Sequence, residues 1–295
     1  MIEKLTTEWQ RLTDTISEVH NEPLFVSEEI IKGRLLPCIA VVAMILSAIY
    51  CFSFKFVDKI VPASSSAVTK SKICYQITNT VFNVAVGCVG IYLEYWVLPT
   101  LDLDKNSTVD YIIGHEKELY LVSAMQLGYQ LYAIPVGVFY VNESTEMIMH
   151  HFAVVISSLM SGFLCIGFRY YTPFFYGVME LSSLPLSAMN TFKDNPDWIK
   201  KYPTTYASIR GVFALSFLAI RNVMCASRYP WFLRDNFVVV YTKEWGIYKG
   251  FMCLQCSLAF FLAFLQLFWG SLILQGILKL FIPGKKKDGK EKKKE

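Results

Sequence analysis

The sequence predicts an all-α integral membrane protein with about seven transmembrane helices. Of its 295 residues, 54% are hydrophobic and only 18% are charged. Several apolar runs approach or exceed the roughly 20 residues that a helix needs to cross a bilayer. We place the spans at 35–54, 73–98, 119–140, 147–168, 171–189, 208–227 and 250–281. No soluble domain of useful size remains, so any function lies in the bundle, its loops or its tails.

The segment 1–34, before the first span at 35–54, is predicted to form an amphipathic helix. Its apolar residues recur at spacings of three and four, and acidic residues occupy the other face. It lacks the apolar core and the small-residue cleavage site of a signal peptide. Three roles stay open for it: lying in the membrane interface, pairing with a helix of a partner protein, or packing on the protein's own loops.

The other end of the chain, 283–295, is a lysine-rich tail that we expect to be disordered and cytosolic. The net charge of the whole chain is +4, and the last eleven residues carry all of it. A nucleic-acid partner therefore has no support. Lys292 and Lys293 look like a C-terminal K-K-x-x signal, which retrieval machinery reads as an address of the endoplasmic reticulum. We expect the protein to reside there.

Orientation follows from the positive-inside rule. With a cytosolic tail, seven spans place the N-terminus in the lumen. Lysines in the loops after spans one and five support this orientation, whereas the basic residues after span six count against it. Asn106 begins an Asn-Ser-Thr sequon in a loop predicted to be lumenal and is the glycosylation candidate. Asn142 begins a second sequon in the next loop, which should face the cytosol.

Ionisable residues interrupt the fourth and fifth spans. His150 and His151 lie near the start of one, and Glu180 lies mid-way along the other. Such groups are costly inside a bilayer and usually face a protein interior, although a histidine at a span's end can also reach lipid headgroups. Adjacent helical residues point about 100° apart, so we expect only one of the two histidines to face the bundle axis.

Amides and one further charge extend this polar set. Asn79 and Asn83 lie four residues apart on one helix face, and Gln126 and Gln130 repeat that spacing on the next span. They either join helices by hydrogen bonds or line a polar cavity. Arg221 is predicted to pair with Glu180, because spans five and six run antiparallel. We take the four amides and Arg221 as candidates for substrate binding in a shared polar interior.

The chain also resembles a known family. The motifs that carry the resemblance are Glu146, His150-His151, Tyr170-Tyr171, Met179-Glu180-Leu181-Ser182-Ser183 and Asn190. Their order is similar to that of the TLC (TRAM, Lag and CLN) family, over roughly residues 70–282. The resemblance implies a bundle of six core helices preceded by an extra N-terminal span.

The resemblance divides between two branches of the family. In the ceramide synthases, a histidine pair and a His-Asp motif on the next span transfer an acyl group from acyl-CoA to a long-chain amine. Here Met179-Glu180 stands where that His-Asp would be. The chain is therefore more similar to the branch with Glu-Leu-Ser, which is associated with lipid homeostasis and membrane composition.

These observations leave three main functions open. A lipid-binding or lipid-homeostasis protein is expected first, because the His-Asp motif is missing. An N-acyltransferase is the alternative, with His150, His151 and Glu180 as catalytic candidates if one histidine and Glu180 lie within hydrogen-bond reach. A cargo or translocon-associated protein is the third. We expect no cofactor, and a metal site of Glu146, His150 and Glu180 is disfavoured because it has too few ligands. Cys253 and Cys256 form a C-x-x-C inside an apolar helix, where packing is the better interpretation.

Overall fold

The protein is described by a computed structural model over residues 26–62, 64–101, 118–164, 169–241 and 246–281. Every regular element in these ranges is a helix. We number the helices α1 (Glu28–Ile60), α2 (Ala67–Thr100), α3 (119–141), α4 (Thr145–Phe163), α5 (169–193), α6 (Pro196–Lys201), α7 (203–241) and α8 (Gly246–Phe281). The predicted fold class, an all-α integral membrane protein, is confirmed.

Among the described residues, five helices are long and apolar enough to cross a membrane: α1, α2, α4, the Pro203–Arg234 part of α7 and the Lys249–Lys279 part of α8. The other two predicted spans, 119–140 and 171–189, coincide with α3 and α5, which are not among these five. In the regular part of α3, twelve of eighteen residues are buried, which makes α3 a central helix. The total of seven spans stays a prediction.

The first helix is longer than the predicted span 35–54. It begins at Glu28, after the Ser27 side chain caps it by accepting a hydrogen bond from the Ile30 N–H. It passes through a π-helical turn at Ile31–Leu35, next to Pro37, which has no N–H to donate. The last residues of the predicted amphipathic segment 1–34 therefore belong to the span. Residues 1–25 and the tail 283–295 lie outside the described part of the chain.

Small residues bring the helix backbones together around α3 and α5. A Cβ atom added at Gly90 of α2 would lie 2.5 Å from the Cα of Gly177 in α5. One added at Gly128 of α3 would lie 2.7 Å from the Ile39 carbonyl oxygen of α1. Glycine at these crossings permits the close approach that packs helices in a membrane.

Helix α5 is irregular in its first half, which places Glu180 on a tightened turn. The segment Pro173–Gly177 is π-helical, Val178–Ser182 is a 3₁₀ turn, and regular α-helix begins only at Ser183. Pro185 lies after this irregular half, in the first turn of the regular helix, where its missing N–H would have no helical acceptor anyway.

The bundle has two ends, each closed by an ion pair. At the Glu143 end, where α2 begins and α3 and α5 finish, Lys72 Nζ lies 3.4 Å from Asp194 Oδ1. At the opposite end, the Arg228 end, a guanidinium nitrogen lies 2.7 Å from Glu94 Oε1. Arg228 also stacks over a phenylalanine ring of α5. Arg228 was one of the basic residues that counted against the predicted orientation, and its partner Glu94 weakens that objection.

Candidate functional site

Two adjoining cavities lie inside the bundle. The polar chamber, of about 390 Å³, lies nearer the Glu143 end. The apolar chamber, of about 90 Å³, has aromatic side chains of α5 and α7 in its wall. The two share five lining residues: Gln126, His150, Val154, Glu180 and Arg221. Because they share these residues, the chambers form one continuous site with a polar part and an apolar part.

The polar chamber brings together all eight of the predicted catalytic and binding candidates. They come from five helices, and they are Asn79, Asn83, Gln126, Gln130, His150, His151, Glu180 and Arg221. The predicted shared polar interior is therefore present. The role of each residue in it stays a prediction. The glycosylation candidate Asn106 and the signal residues Lys292 and Lys293 lie outside the described residues.

Both histidines line the polar chamber. The expectation that only one of them would face inward was therefore wrong. His151 is 4% exposed, and its Nδ1 lies 2.7 Å from Oε1 of Gln130 on α3. His150 meets the Trp269 ring of α8 edge-on, with centroids 5.9 Å apart. Helix α4 packs against both α3 and α8. Two side chains about 100° apart can therefore both point into protein.

The carboxylate beside the histidines is Glu143, which sequence reasoning missed. Its Oε2 lies 3.3 Å from His151 Nε2 and accepts a hydrogen bond of 3.2 Å from the Tyr75 hydroxyl. Glu146, the acid considered from the sequence, is exposed in the first turn of α4. The only signal for Glu143 was a carboxylate in a very short loop between two spans.

The turn between α3 and α4 aims Glu143 into the bundle. Asn142 adopts a left-handed conformation, with φ 51°, which asparagine tolerates better than most residues. The Glu143 N–H then donates to the Gly137 carbonyl at 3.0 Å. A Cβ atom added at Gly137 would lie 2.6 Å from Glu143 Oε2. The position of this carboxylate therefore depends on a glycine at 137.

The predicted pair of Glu180 and Arg221 is confirmed, with 3.3 Å between Oε2 and an Arg221 nitrogen. Arg221 is buried and makes three further hydrogen bonds, to Ser182 at 2.6 Å, Ser183 at 2.9 Å and Gln266 at 3.3 Å. All three guanidinium nitrogens are thus bound to protein. The pair joins α5, α7 and α8 at the boundary between the chambers.

Polar groups of the apolar chamber bind one another. The Ser157 hydroxyl contacts the Tyr176 hydroxyl and accepts from the Gln255 amide at 2.9 Å. Gln126 donates to the Tyr176 carbonyl at 2.8 Å. These bonds connect α3, α4, α5 and α8. They are the interhelical polar contacts expected of a membrane bundle.

The polar chamber differs, because it is lined by buried polar atoms without a hydrogen-bond partner among the described residues. They are Asn79 Oδ1 and His151 Nε2, together with Nδ1 of His150, which lines both chambers. His151 Nε2 is near Glu143, but the two are not aligned for a hydrogen bond. Leaving a buried polar atom unpaired costs roughly 1–3 kcal/mol, so such atoms usually have a functional reason.

A third cavity, the vestibule, adjoins the polar chamber at the Glu143 end and has a volume of about 230 Å³. Five residues line both: Tyr75, Gln76, Glu143, Asn190 and Lys193. Lys193 is exposed, so the vestibule reaches the molecular surface. It provides a polar route between that surface and the histidines.

Within the described residues, no three His, Cys, Asp or Glu side chains are grouped so that they could hold a metal ion. Of the three ligands considered from the sequence, His150 and Glu180 line the polar chamber and Glu146 does not. The Glu180 carboxylate is instead bound by Arg221 and by the Ser183 hydroxyl, at 2.9 Å.

The fold and the site define a multi-pass integral membrane protein with an interior cavity of polar and apolar parts. A sequence model of the TLC domain matches residues 72–275, more than half of the chain. The chain belongs to the TLC-domain family, as its motifs predicted. This membership connects it with lipid metabolism or lipid homeostasis. Comparison with curated proteins and with solved structures gave no match.

Proposed function

We propose that the protein binds a membrane lipid inside its bundle and acts in lipid homeostasis of the endoplasmic reticulum. The headgroup occupies the polar chamber, and the adjoining part of the hydrocarbon chain occupies the apolar chamber. The observation that carries this proposal is that a more polar chamber and a mainly apolar chamber are continuous through five shared residues. A volume of about 390 Å³ lies in the usual range of small-molecule sites.

The branch of the family supports a homeostatic role over catalysis. Met179 and Glu180 replace the His-Asp motif that the resemblance associates with acyl transfer. The Glu180 carboxylate is held by Arg221 and Ser183. Location in the reticulum rests on Lys292 and Lys293, and orientation rests on the distribution of lysines.

Lipid analysis of the purified, detergent-solubilised protein tests the proposal. Lipids extracted from a monodisperse sample are identified and quantified by mass spectrometry against the amount of protein. We expect about one specific lipid per chain. Labelled acyl-CoA and a panel of long-chain amines are offered to the same sample, and we expect no product. A sample with no retained lipid would contradict the proposal.

An N-acyltransferase is the second candidate, and one observation favours it. The His151 ring lies between Gln130 and Glu143, and a histidine oriented by a carboxylate is a common general base. Such a base would take the proton from the amine as its nitrogen attacks the thioester carbonyl and the CoA thiolate leaves. Product formed by wild type and lost in folded His150→Ala/His151→Ala would establish this function instead.

A cargo or translocon-associated role, the third candidate, depends mainly on the N-terminal segment and on the tail. Residues 1–25 and 282–295 lie outside the described part of the chain. No contact of the described residues favours this role over lipid binding.

A further inference from the structure

Six Lys, Arg, Asp and Glu side chains line the polar chamber and the vestibule, three of each sign. They are Lys72, Lys193, Arg221, Glu143, Glu180 and Asp194. Four of them form two ion pairs, Lys72 with Asp194 at 3.4 Å and Arg221 with Glu180 at 3.3 Å. Within each pair the two charges neutralise each other. The remaining charges therefore determine which ligands the cavity attracts.

The two remaining charges are Lys193 and Glu143, one of each sign. Both line the polar chamber and the vestibule. Lys193 ends α5 and forms no ion pair with the described residues. Glu143 accepts from Tyr75 and faces His151, with no Lys or Arg of the described chain in ion-pair contact. The cavity therefore presents a separated cation and anion with no net charge, which is complementary to a zwitterion.

Asn79 gives an independent indication of the positive end of such a ligand. The residue is 8% exposed, and its side chain lines the polar chamber and leaves Oδ1 without a hydrogen-bond partner among the described residues. A carbonyl oxygen can only accept a hydrogen bond. A primary ammonium has three N–H donors, whereas a quaternary ammonium has none. Asn79 and Glu143 together favour a cation that donates hydrogen bonds.

The aromatic side chains of the chamber are poorly placed for a quaternary ammonium. Such cations bind over the faces of aromatic rings. The Tyr129 ring is stacked on Phe82, with centroids 4.2 Å apart and an interplanar angle of 6°. Trp269 is packed against His150. Ring packing thus leaves less aromatic surface for a choline-type group.

We propose that the polar chamber binds the zwitterionic headgroup of a lipid with a phosphate and a primary ammonium. The phosphate lies at Lys193, near the vestibule, and the ammonium donates to Glu143 and to Asn79 Oδ1. This inference rests on the proposed lipid binding and names its ligand class. Charge-assisted hydrogen bonds at both ends of the headgroup provide the selectivity.

Binding of short-chain lipids to the full-length protein in detergent tests this assignment. The probe is dioctanoyl phosphatidylethanolamine. Phosphatidylcholine, phosphatidate and diacylglycerol with the same chains are the comparisons. We expect the probe to bind about tenfold more tightly than phosphatidylcholine and diacylglycerol, the difference that one charge-assisted hydrogen bond typically makes. Equal affinity for the probe and diacylglycerol would overturn the assignment.

Two substitutions separate the ends of the headgroup. Lys193→Met should lower the affinity for the probe and for phosphatidate about tenfold and leave the affinity for diacylglycerol unchanged. Lys193→Arg should retain the binding of all three. Glu143→Gln should lower the affinity for the probe and leave the affinity for phosphatidate unchanged. Lys200→Met is the matched control, because Lys200 is exposed, pairs with Asp197 and lines neither cavity.

Outcomes for the assignment and for the proposed function are distinguishable. If Lys193→Met remains folded, by thermal unfolding and size-exclusion profile, and keeps the preference for the probe over diacylglycerol, the assignment is wrong. The binding of either lipid would still support the proposed function. If no lipid binds and none is retained through purification, both proposals fail.

Discussion

The two chambers of the site hold their polar side chains differently. In the apolar chamber, Ser157, Tyr176 and Gln255 bind one another across three helices. In the polar chamber, Asn79 Oδ1 and His151 Nε2 are buried with no hydrogen-bond partner among the described residues. Buried polar groups that are fully bonded stabilise a bundle, whereas unpaired ones lower its stability unless a ligand binds them.

This comparison separates residues that hold the fold from residues that bind. Substitutions in the bonded network should lower stability and spare lipid binding. Substitutions of unpaired groups should leave stability nearly unchanged and reduce lipid binding. Arg221 and Glu180 lie at the boundary between the chambers and belong to the bonded kind, although the sequence presented them in the same way as the histidines.

The largest expected effect is at this boundary. Arg221→Met leaves the partly buried Glu180 carboxylate without its cation, and we expect the free energy of unfolding to fall by about 3–5 kcal/mol. The double variant Arg221→Met/Glu180→Met should lose less than Arg221→Met alone. Unfolding of the purified variants in mixed detergent measures both. Strictly additive losses would show that the two side chains do not interact.

The next effect is in the apolar chamber. Ser157→Ala removes a partner of the Tyr176 hydroxyl and of the Gln255 amide, so stability should fall by about 1–3 kcal/mol while the retained lipid is unchanged. Ser47→Ala is the control, because Ser47 is exposed and bonds only within its own helix. A Ser157→Ala protein that loses its lipid at normal stability would reverse the assignment of this chamber.

A smaller change in stability is expected at Gly137. Gly137→Ala places a methyl group 2.6 Å from Glu143 Oε2, so the carboxylate moves away from His151 and Tyr75. We expect stability to change by about 1 kcal/mol or less and lipid affinity to fall several-fold, measured by unfolding and by lipid binding. Gly211→Ala is the control, since nothing lies within 4 Å of the added atom. Normal lipid affinity in Gly137→Ala would remove Glu143 from the binding site.

The smallest effect on stability is expected at Asn79. Asn79→Leu removes a buried acceptor that has no partner among the described residues, so the free energy of unfolding should change by about 0.5 kcal/mol or less. Lipid retention should nevertheless fall. A strong loss of stability with lipid retained would mean that Asn79 joins helices by hydrogen bonds, the alternative that the sequence also allowed.

Much of this site could be predicted from the sequence. Helical periodicity and the energetic cost of polar groups inside the bilayer identified Asn79, Gln130, His151 and their neighbours. The antiparallel direction of spans five and six paired Glu180 with Arg221. These are properties of single helices or of adjacent ones, which a sequence shows directly. The pair of Glu94 and Arg228 joins residues that are far apart in the chain, and its geometry exists only in the folded bundle.

Glu143 could not be predicted for a related reason. Its inward direction depends on the left-handed Asn142 and on the absence of a side chain at Gly137, which together fold the loop over the end of α3. Hydropathy treats the loop only as a connection between spans. Likewise, the irregular half of α5 has its break before Pro185, where the surrounding helices determine the backbone.

Filling the polar chamber tests the central claim most directly. Ser187 is buried and lines this chamber, so Ser187→Phe should occupy the space of the headgroup. Lipid extracted from the purified variant is compared with that from wild type and from Ser47→Phe, which adds the same ring on the exposed side of α1. We predict that Ser187→Phe retains little lipid and that Ser47→Phe matches wild type. Full lipid content in a folded Ser187→Phe protein would contradict lipid binding in the chamber.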